Sequence, residues 1–337
     1  MFDSTAIKTV DTSWRRPGAA VQRLLHRHPA LSPAIILALI VVAFTIANPR
    51  FANPQTLSLL LQQTAVVAAL AVGQTLIILT AGIDLSVGAV AILSSLVMAQ
   101  VSVEFGMPGW AALLVGVVVG AAAGAANGAL VTRLSLPPFI VTLGTLSIFT
   151  AIGLLLSGAQ STSATEMPAL LSWTGQTISL GSFTITTGVL LVLVMYIVIG
   201  YALTRTAWGT HVYAVGGDAE AARLAGIRVR RVVLSVYLVA GITYAIAAWV
   251  LIGRANAATP NGIVDGNLQS ITAVVIGGTS LFGGRGGVIG TLIGAVIVQS
   301  LTVGLSLAGV DAQYRLLAVG VLVLFAVALD QWIRKSR

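Results

Sequence analysis

The stretch Gln74-Thr-Leu-Ile-Ile-Leu-Thr-Ala-Gly-Ile-Asp-Leu-Ser-Val-Gly88 sets one carboxylate, Asp84, between two apolar runs, 56–80 and 85–103, that hold no charge. No other acid occurs between Asp11 and Glu104. A carboxylate at the centre of a bilayer costs about 3 kcal/mol or more, so Asp84 is expected to face a turn, a cavity or a partner. Glycines (Gly73, Gly82, Gly88) and hydroxyls (Thr75, Thr80, Ser86) surround it, the composition of an interrupted membrane helix.

The rest of the chain has the same character. Of 337 residues, 57% are hydrophobic and 8% charged, with a mean hydropathy of +0.99. Soluble domains carry about 25% charged residues. This much apolar surface cannot be hidden from water, so the chain reads as an all-α integral membrane protein. With no cysteine, disulfides and thiolate metal sites are excluded. The three histidines (His26, His28, His211) are too scattered for a metal cluster. The 36 glycines suit close helix packing in lipid.

Charge-free runs occupy 31–48, 56–80, 85–103, 109–132, 138–157, 186–204, 232–252 and 287–307. A shorter run covers 268–282, and the last apolar segment is 313–330. A crossing needs about 20 residues, so these read as about ten transmembrane helices, with 268–282 short enough to be broken or re-entrant. With the N-terminus inside, ten crossings leave 15 of the 18 basic residues on the inner side, with Arg50, Arg254 and Arg315 outside. The Lys/Arg excess belongs to cytoplasmic loops, which selects an N-in, C-in topology. In that arrangement the net charge of +8 is topological, and no nucleic acid is called for. Residues 1–30 then form a cytoplasmic tail with an amphipathic turn around Val21–Leu25, and they lack the apolar core of a signal peptide. Residues 31–331 are the transmembrane domain, with an outer loop at 158–185 and a cytoplasmic segment at 205–231; 332–337 are a second tail. A faint echo links Gly73-Gln-Thr-Leu76 to Gly277-Gly-Thr-Ser280, and repeats of this kind build many transporters.

Within the cytoplasmic segment, Asp218 suits the N-cap of a short helix, Glu220 its positive end and Arg223 its last turn, with Gly226 as the stop. Ala221, Ala222, Leu224 and Ala225 give it a smooth face suited to a partner's groove; the alternative is a solvated connecting loop. For Asp84, one reading is a gate or hinge formed with Gly82, Ser86 and Gly88. The other is an N-cap for the third span, the carboxylate accepting the amide of Ser86 or Val87. Most membrane Ser and Thr hydroxyls bond back to their own helix. The amides Gln62, Gln63, Gln74, Asn127 and Gln299, with Thr75 and Thr142, are the candidate lining of a polar path.

Four ordered motifs then carry a resemblance: Gly-Ile-Asp-Leu-Ser-Val-Gly at 82–88, Leu-Pro-Pro-Phe-Ile-Val-Thr-Leu-Gly-Thr at 136–145, Gly-x-x-x-Ala-Ala-Arg-x-x-Gly-Ile at 217–227, and Ala-Val-Val-Ile-Gly-Gly-Thr-Ser-Leu-Phe-Gly-Gly-Arg-Gly at 273–286. Over about 32–330 the chain resembles the permease subunit of ribose-type ATP-binding-cassette sugar importers. Residues 206–213, 234–237 and 330–335 carry a finer likeness to fructose-type permeases.

The resemblance implies an importer subunit for a small neutral monosaccharide of the fructose or ribose class, in the bacterial cytoplasmic (inner) membrane. Its implied partners are a cassette ATPase, an extracytoplasmic sugar-binding protein and a second permease copy, most simply as a homodimer. It also makes the 217–226 segment, from Gly217 to Gly226, the helix that couples to the ATPase. Neither lysine, Lys8 nor Lys335, follows a glycine, so the phosphate-binding Gly-x-x-x-x-Gly-Lys loop is missing. The chain is therefore expected not to be an enzyme and to bind no cofactor, with ATP and Mg on the partner ATPase. The competing reading is an ion-coupled secondary transporter of a small polar solute, although intramembrane acids are scarce for proton coupling.

Overall fold

The computed structural model describes residues 31–335 with the exception of Val264. The expected tail at 1–30, with its turn at Val21–Leu25, lies outside the described residues. Among the described residues, ten apolar helices follow the nine charge-free runs and the last apolar segment. They are α1 (Leu31–Ala47), α2 (Pro54–Leu79), α3 (Val87–Val103), α4 (Gly109–Arg133) and α5 (Pro138–Ser157), then, after a four-residue helix α6 (Ala169–Ser172), α7 (Thr187–Arg205). Two short helices, α8 (Ala207–Gly217) and α9 (Ala219–Leu224), precede α10 (Val229–Ala255), α11 (Gly266–Ile276), α12 (Val288–Leu307) and α13 (Ala312–Lys335). Among the described residues, α2, α4, α5, α7, α10 and α12 are long and apolar enough to cross a membrane. α1, α3, α11 and the described apolar part of α13 are shorter apolar helices.

α2 and α10 form the buried centre. Their apolar residues run all round the helix, as a span enclosed by other spans requires. α4 packs along α10 through Gly120, Gly124 and Gly128, while Gly116 of the same four-residue series faces Met98 of α3. A Cβ on Gly120 would sit 2.5 Å from the Gly241 carbonyl oxygen, so only small residues permit this backbone approach. α5 and α7 leave large apolar side chains exposed, among them Ile140, Leu155 and Ile197, as lipid-facing helices do.

Contacts at the helix ends sort the connections onto two faces. On one face, the two-residue strand β1 (Thr162–Ser163) pairs antiparallel with β4 (Ala257–Ala258), and β2 (Thr177–Leu180) forms a hairpin with β3 (Phe183–Thr186). The Thr184 amide donates to Ser58 Oγ at 2.8 Å, and Trp249 Nε1 donates to the Leu170 carbonyl at 2.9 Å. The expected outer loop at 158–185 therefore carries most of this hairpin as well as the short helix α6. On the other face, the Gly284 amide donates to the Leu79 carbonyl at 3.0 Å, and the Tyr213 hydroxyl to the Gly286 carbonyl at 2.9 Å.

The structure departs from the sequence reading in several places. At about 1.5 Å per residue, the 11-residue α11 extends about 16 Å, half a bilayer. The rest of the 268–282 run opens a turn that continues to 287, with glycines at positive φ (Gly278, Gly283, Gly284, Gly286). The echo between 73–76 and 277–280 has no structural counterpart, because the first lies inside α2 and the second in that turn. The cytoplasmic segment holds a second helix, α8, that the sequence reading did not assign, and Thr206 caps it by accepting the Gly209 amide at 3.3 Å. α13 continues to Lys335, into the expected tail, since no Gly or Pro stops it.

Candidate functional site

The Asp84 turn is the first cluster. After α2 ends, the chain folds back into the protein, and Asp84 is 1% exposed. Its Oδ1 accepts the Ser86 amide at 2.7 Å and the Ser86 hydroxyl at 2.6 Å. Asn127 Nδ2 on α4 donates to Ser86 Oγ at 2.8 Å. The Leu85 amide donates to Thr142 Oγ1 on α5 at 3.0 Å, and that hydroxyl in turn reaches the Ile83 carbonyl at 3.1 Å. The Gly88 amide donates to Asn267 Oδ1 at the start of α11, at 2.8 Å. One carboxylate thus anchors a turn tied to three helices. The N-cap position of α3 is Ser86, and Asp84 accepts that residue's amide from two positions upstream. Asp84 follows the end of α2 by five residues, and Asn127 lies six residues, about 9 Å, from the end of α4.

Tyr237 and Tyr244 of α10 border this turn. The Tyr237 hydroxyl lies 3.3 Å from where a Cβ on Gly82 would be, and Tyr244 lies beside the carboxylate. The Tyr237 hydroxyl, Asn127 Oδ1 and both amide atoms of Gln74 are buried without a hydrogen-bond partner among the described residues. Buried groups of this kind are where internal waters bind.

The second feature is a half-open cavity of about 200 Å³ between α2, α10, α11 and α12. It is lined by Gln63, Arg254, Asp265, Gln269, Gln299 and Thr302, with apolar walls from Val66, Val67 and Ile263. The wall touches the Asp84 turn, since Gly88 packs toward the Ile263 carbonyl and bonds Asn267.

Of the expected path residues, Gln63 and Gln299 reach this cavity, and Gln62 is half-buried on α2. The others lie away from it. Gln74, Thr75, Asn127 and Thr142 are each fully buried between helices. Thr75 Oγ1 lies 2.8 Å from Thr291 Oγ1, a helix–helix contact. Arg254, Asp265, Gln269 and Thr302 join the lining without being singled out by the sequence reading. The signal for them is that Gln269 and Gln299 are amides in facing apolar segments, and that Arg254 is one of the few basic residues outside the expected cytoplasmic loops.

The third feature is α9. Asp218 Oδ1 accepts the amides of Glu220 at 2.9 Å and Ala221 at 3.0 Å, closing the N-terminus. Arg223 pairs with Glu220 and holds its carboxyl below the usual carboxylate range. Gly226, at φ +85°, ends the helix, its amide donating to the Arg223 carbonyl at 3.0 Å. Leu224 is 77% exposed, and Ala221 and Ala225 are exposed as well. Ala222 is not part of that face: it is buried against the chain itself, because a helix this short turns one side onto its neighbours. Gly217 is exposed at the end of α8, immediately before the cap.

Comparison with known proteins accords with this architecture. The chain is 45% identical over 336 residues to the fructose import permease protein FrcC of Rhizobium meliloti, covering 98% of this chain and 93% of the relative. It is 38% identical over 301 residues to the ribose import permease protein RbsC of Bacillus subtilis, covering 89% and 92%. It is 35% identical over 301 residues to the D-allose transport system permease protein AlsC of Escherichia coli, covering 89% and 91%. No solved structure matches the chain. The family described as branched-chain amino acid transport system / permease component matches residues 56–327. With apolar helices throughout and that match over most of its length, the chain belongs to this family and is a helical membrane permease.

Proposed function

We propose that the chain is the transmembrane permease subunit of an ATP-driven importer of a small neutral monosaccharide of the fructose or ribose class. The likeness to fructose and ribose import permeases from one end of the chain to the other carries this reading. In it, an external binding protein delivers the sugar to a pathway formed by two permease copies, and ATP and Mg bind to a separate cassette ATPase. Ten crossings with both termini inside are part of this reading; six described helices are long and apolar enough to span alone, and the sorting of the connections onto two faces supports it. On that topology α9, the 277–287 turn and the end of α2 lie on the cytoplasmic side, and the strands and hairpin lie outside. Residues 31–331 then form one transmembrane domain with coupling segment 205–231. Asp84, Gly82, Ser86 and Gly88 act as a hinge beside the path, and α9 docks the ATPase.

The test is uptake by proteoliposomes holding this chain with its ATPase and binding protein. D-Fructose or D-ribose accumulates only with ATP on the ATPase side, vanadate stops it, and a protonophore leaves it intact. Uptake that survives vanadate and collapses with the protonophore would overturn the proposal in favour of an ion-coupled transporter.

Docking through the exposed side of α9 has its own check. Leu224→Asp is expected to weaken co-purification of the ATPase by about tenfold or more, the effect of charging an exposed apolar anchor. Ala222→Trp is instead expected to destabilise the permease itself by about 1–3 kcal/mol through overpacking, seen as earlier thermal inactivation. If Leu224→Asp retains the ATPase as well as wild type, α9 is not the docking element.

A further inference from the structure

We infer that the cavity between α2, α10, α11 and α12 is a weak subsite for an uncharged polyol, entered when the solute crosses this chain. The inference rests on the reading above and adds where in the chain the solute is held and by which groups. Its volume of about 200 Å³ would hold about seven waters at about 30 Å³ each, a space on the scale of one monosaccharide ring.

The lining matches hydroxyls in particular. Arg254 contributes only donors, and Asp265, when ionised, only acceptors. The only ion pair among the described residues is Arg223–Glu220, so Arg254 and Asp265 are not joined to each other across the cavity. Their charges cancel, which disfavours an ionic solute of either sign. Gln299 Nε2 donates to Gln269 Oε1 at 2.9 Å. Whichever way the two amides are turned, the pair uses one carbonyl and one amide hydrogen, leaving one whole amide nitrogen and one carbonyl for a ligand. Each sugar hydroxyl both donates and accepts, so it can satisfy the two kinds of group at once. Val66, Val67 and Ile263 supply an apolar wall for the C–H face of a ring.

The position also suits transit. Gln63 lies nine residues into the 26-residue α2, and Gln299 and Gln269 face each other across the α11–α12 hairpin. The far wall of the cavity is the segment that bonds the Asp84 turn through Asn267 and Gly88. The cavity opens on one side and backs onto the hinge on the other.

The experiment uses the complete complex in proteoliposomes and compares D-fructose with 1-deoxy-D-fructose, and D-ribose with 2-deoxy-D-ribose. The sugars are supplied at saturating binding protein, so that the permease step limits uptake. Asp265→Asn and the double variant Gln269→Leu/Gln299→Leu are expected to lower maximal uptake by about tenfold, the worth of one hydrogen bond to a charged group. They are also expected to reduce the wild-type preference for the parent sugar over its deoxy analogue to less than about threefold. Co-purified ATPase and gel-filtration profile report whether each variant assembles. If the double variant misassembles, Thr302→Val, which removes one hydroxyl while keeping side-chain shape, provides the same comparison. Variants that assemble and keep both the uptake rate and the preference of wild type overturn the subsite. If the wild-type complex itself shows no ATP-dependent uptake, the importer reading fails instead, and the two failures are told apart by that control.

Discussion

Gly216→Val should reduce uptake by more than about a hundredfold and lower thermal stability by at least about 3 kcal/mol. A Cβ at Gly216 would run into the Leu79 carbonyl oxygen and would lie 2.7 Å from the Gly284 nitrogen. That nitrogen donates to the same Leu79 oxygen at 3.0 Å, so the side chain would push apart two backbones already bonded to each other. A Cβ on Gly283 would meet the Gly216 oxygen at 2.6 Å and the Ala81 nitrogen at 2.8 Å. Three segments therefore meet through bare backbone: the end of α2, the end of α8 just before α9, and the α11–α12 turn. In the importer reading, this junction carries a push on α9 toward both the Asp84 turn and the wall of the cavity. Gly144→Ala is the control, because its Cβ enters open space on α5 and an alanine favours helix by up to about 1 kcal/mol. Uptake and melting of purified protein would be measured together. If Gly216→Val behaved like Gly144→Ala, the junction would not be a rigid link.

The second large effect belongs to Asp84. Asp84→Ala removes the acceptor of both the Ser86 amide and the Ser86 hydroxyl, two buried donors. Each stranded donor costs about 1–3 kcal/mol, so a loss of about 3 kcal/mol or more is expected, with Ser86 no longer held for Asn127. Asp84→Asn keeps a side-chain oxygen in place and should cost about 1 kcal/mol, the margin of a charged over a neutral acceptor. The expected order of thermal inactivation in detergent is wild type, then Asn, then Ala, with transport following stability. If Asp84→Asn melted like wild type and yet abolished transport, the carboxylate would be a proton carrier, and its structural role would be refuted.

Much of the fold is legible in the order of the amino acids. A bilayer demands about 20 apolar residues per crossing, and the charge-free runs between Leu31 and Asp330 follow the helices to within a few residues. The short run at 268–282 contains α11 and its turn because 11 helical residues cannot reach across. Asp218, Glu220, Arg223 and Gly226 announce α9, since capping chemistry is local and needs no tertiary contact. α8 is harder to see, because what stabilises it lies elsewhere, including Trp208 Nε1 bonded to Ser235 Oγ at 2.8 Å and Tyr213 to the 277–287 turn.

The sequence by itself determined the membrane class, the order and approximate bounds of the long helices, the short capped helix α9 and the existence of one interior acid, because hydropathy, charge and capping act along the chain. Which side of each helix meets which neighbour was decided only in three dimensions. An amide in an apolar run has the same sequence signature whether it faces a cavity, as Gln63 and Gln299 do, or is sealed between helices, as Gln74 and Asn127 are. Asp84 belongs to the second group. Its position between apolar runs is plain in the sequence, but its bonds to Ser86 and, through it, to Asn127 depend on the chain turning back inward after α2. Close approach of glycine backbones at Gly216 and Gly284 holds the end of α2 where that turn begins.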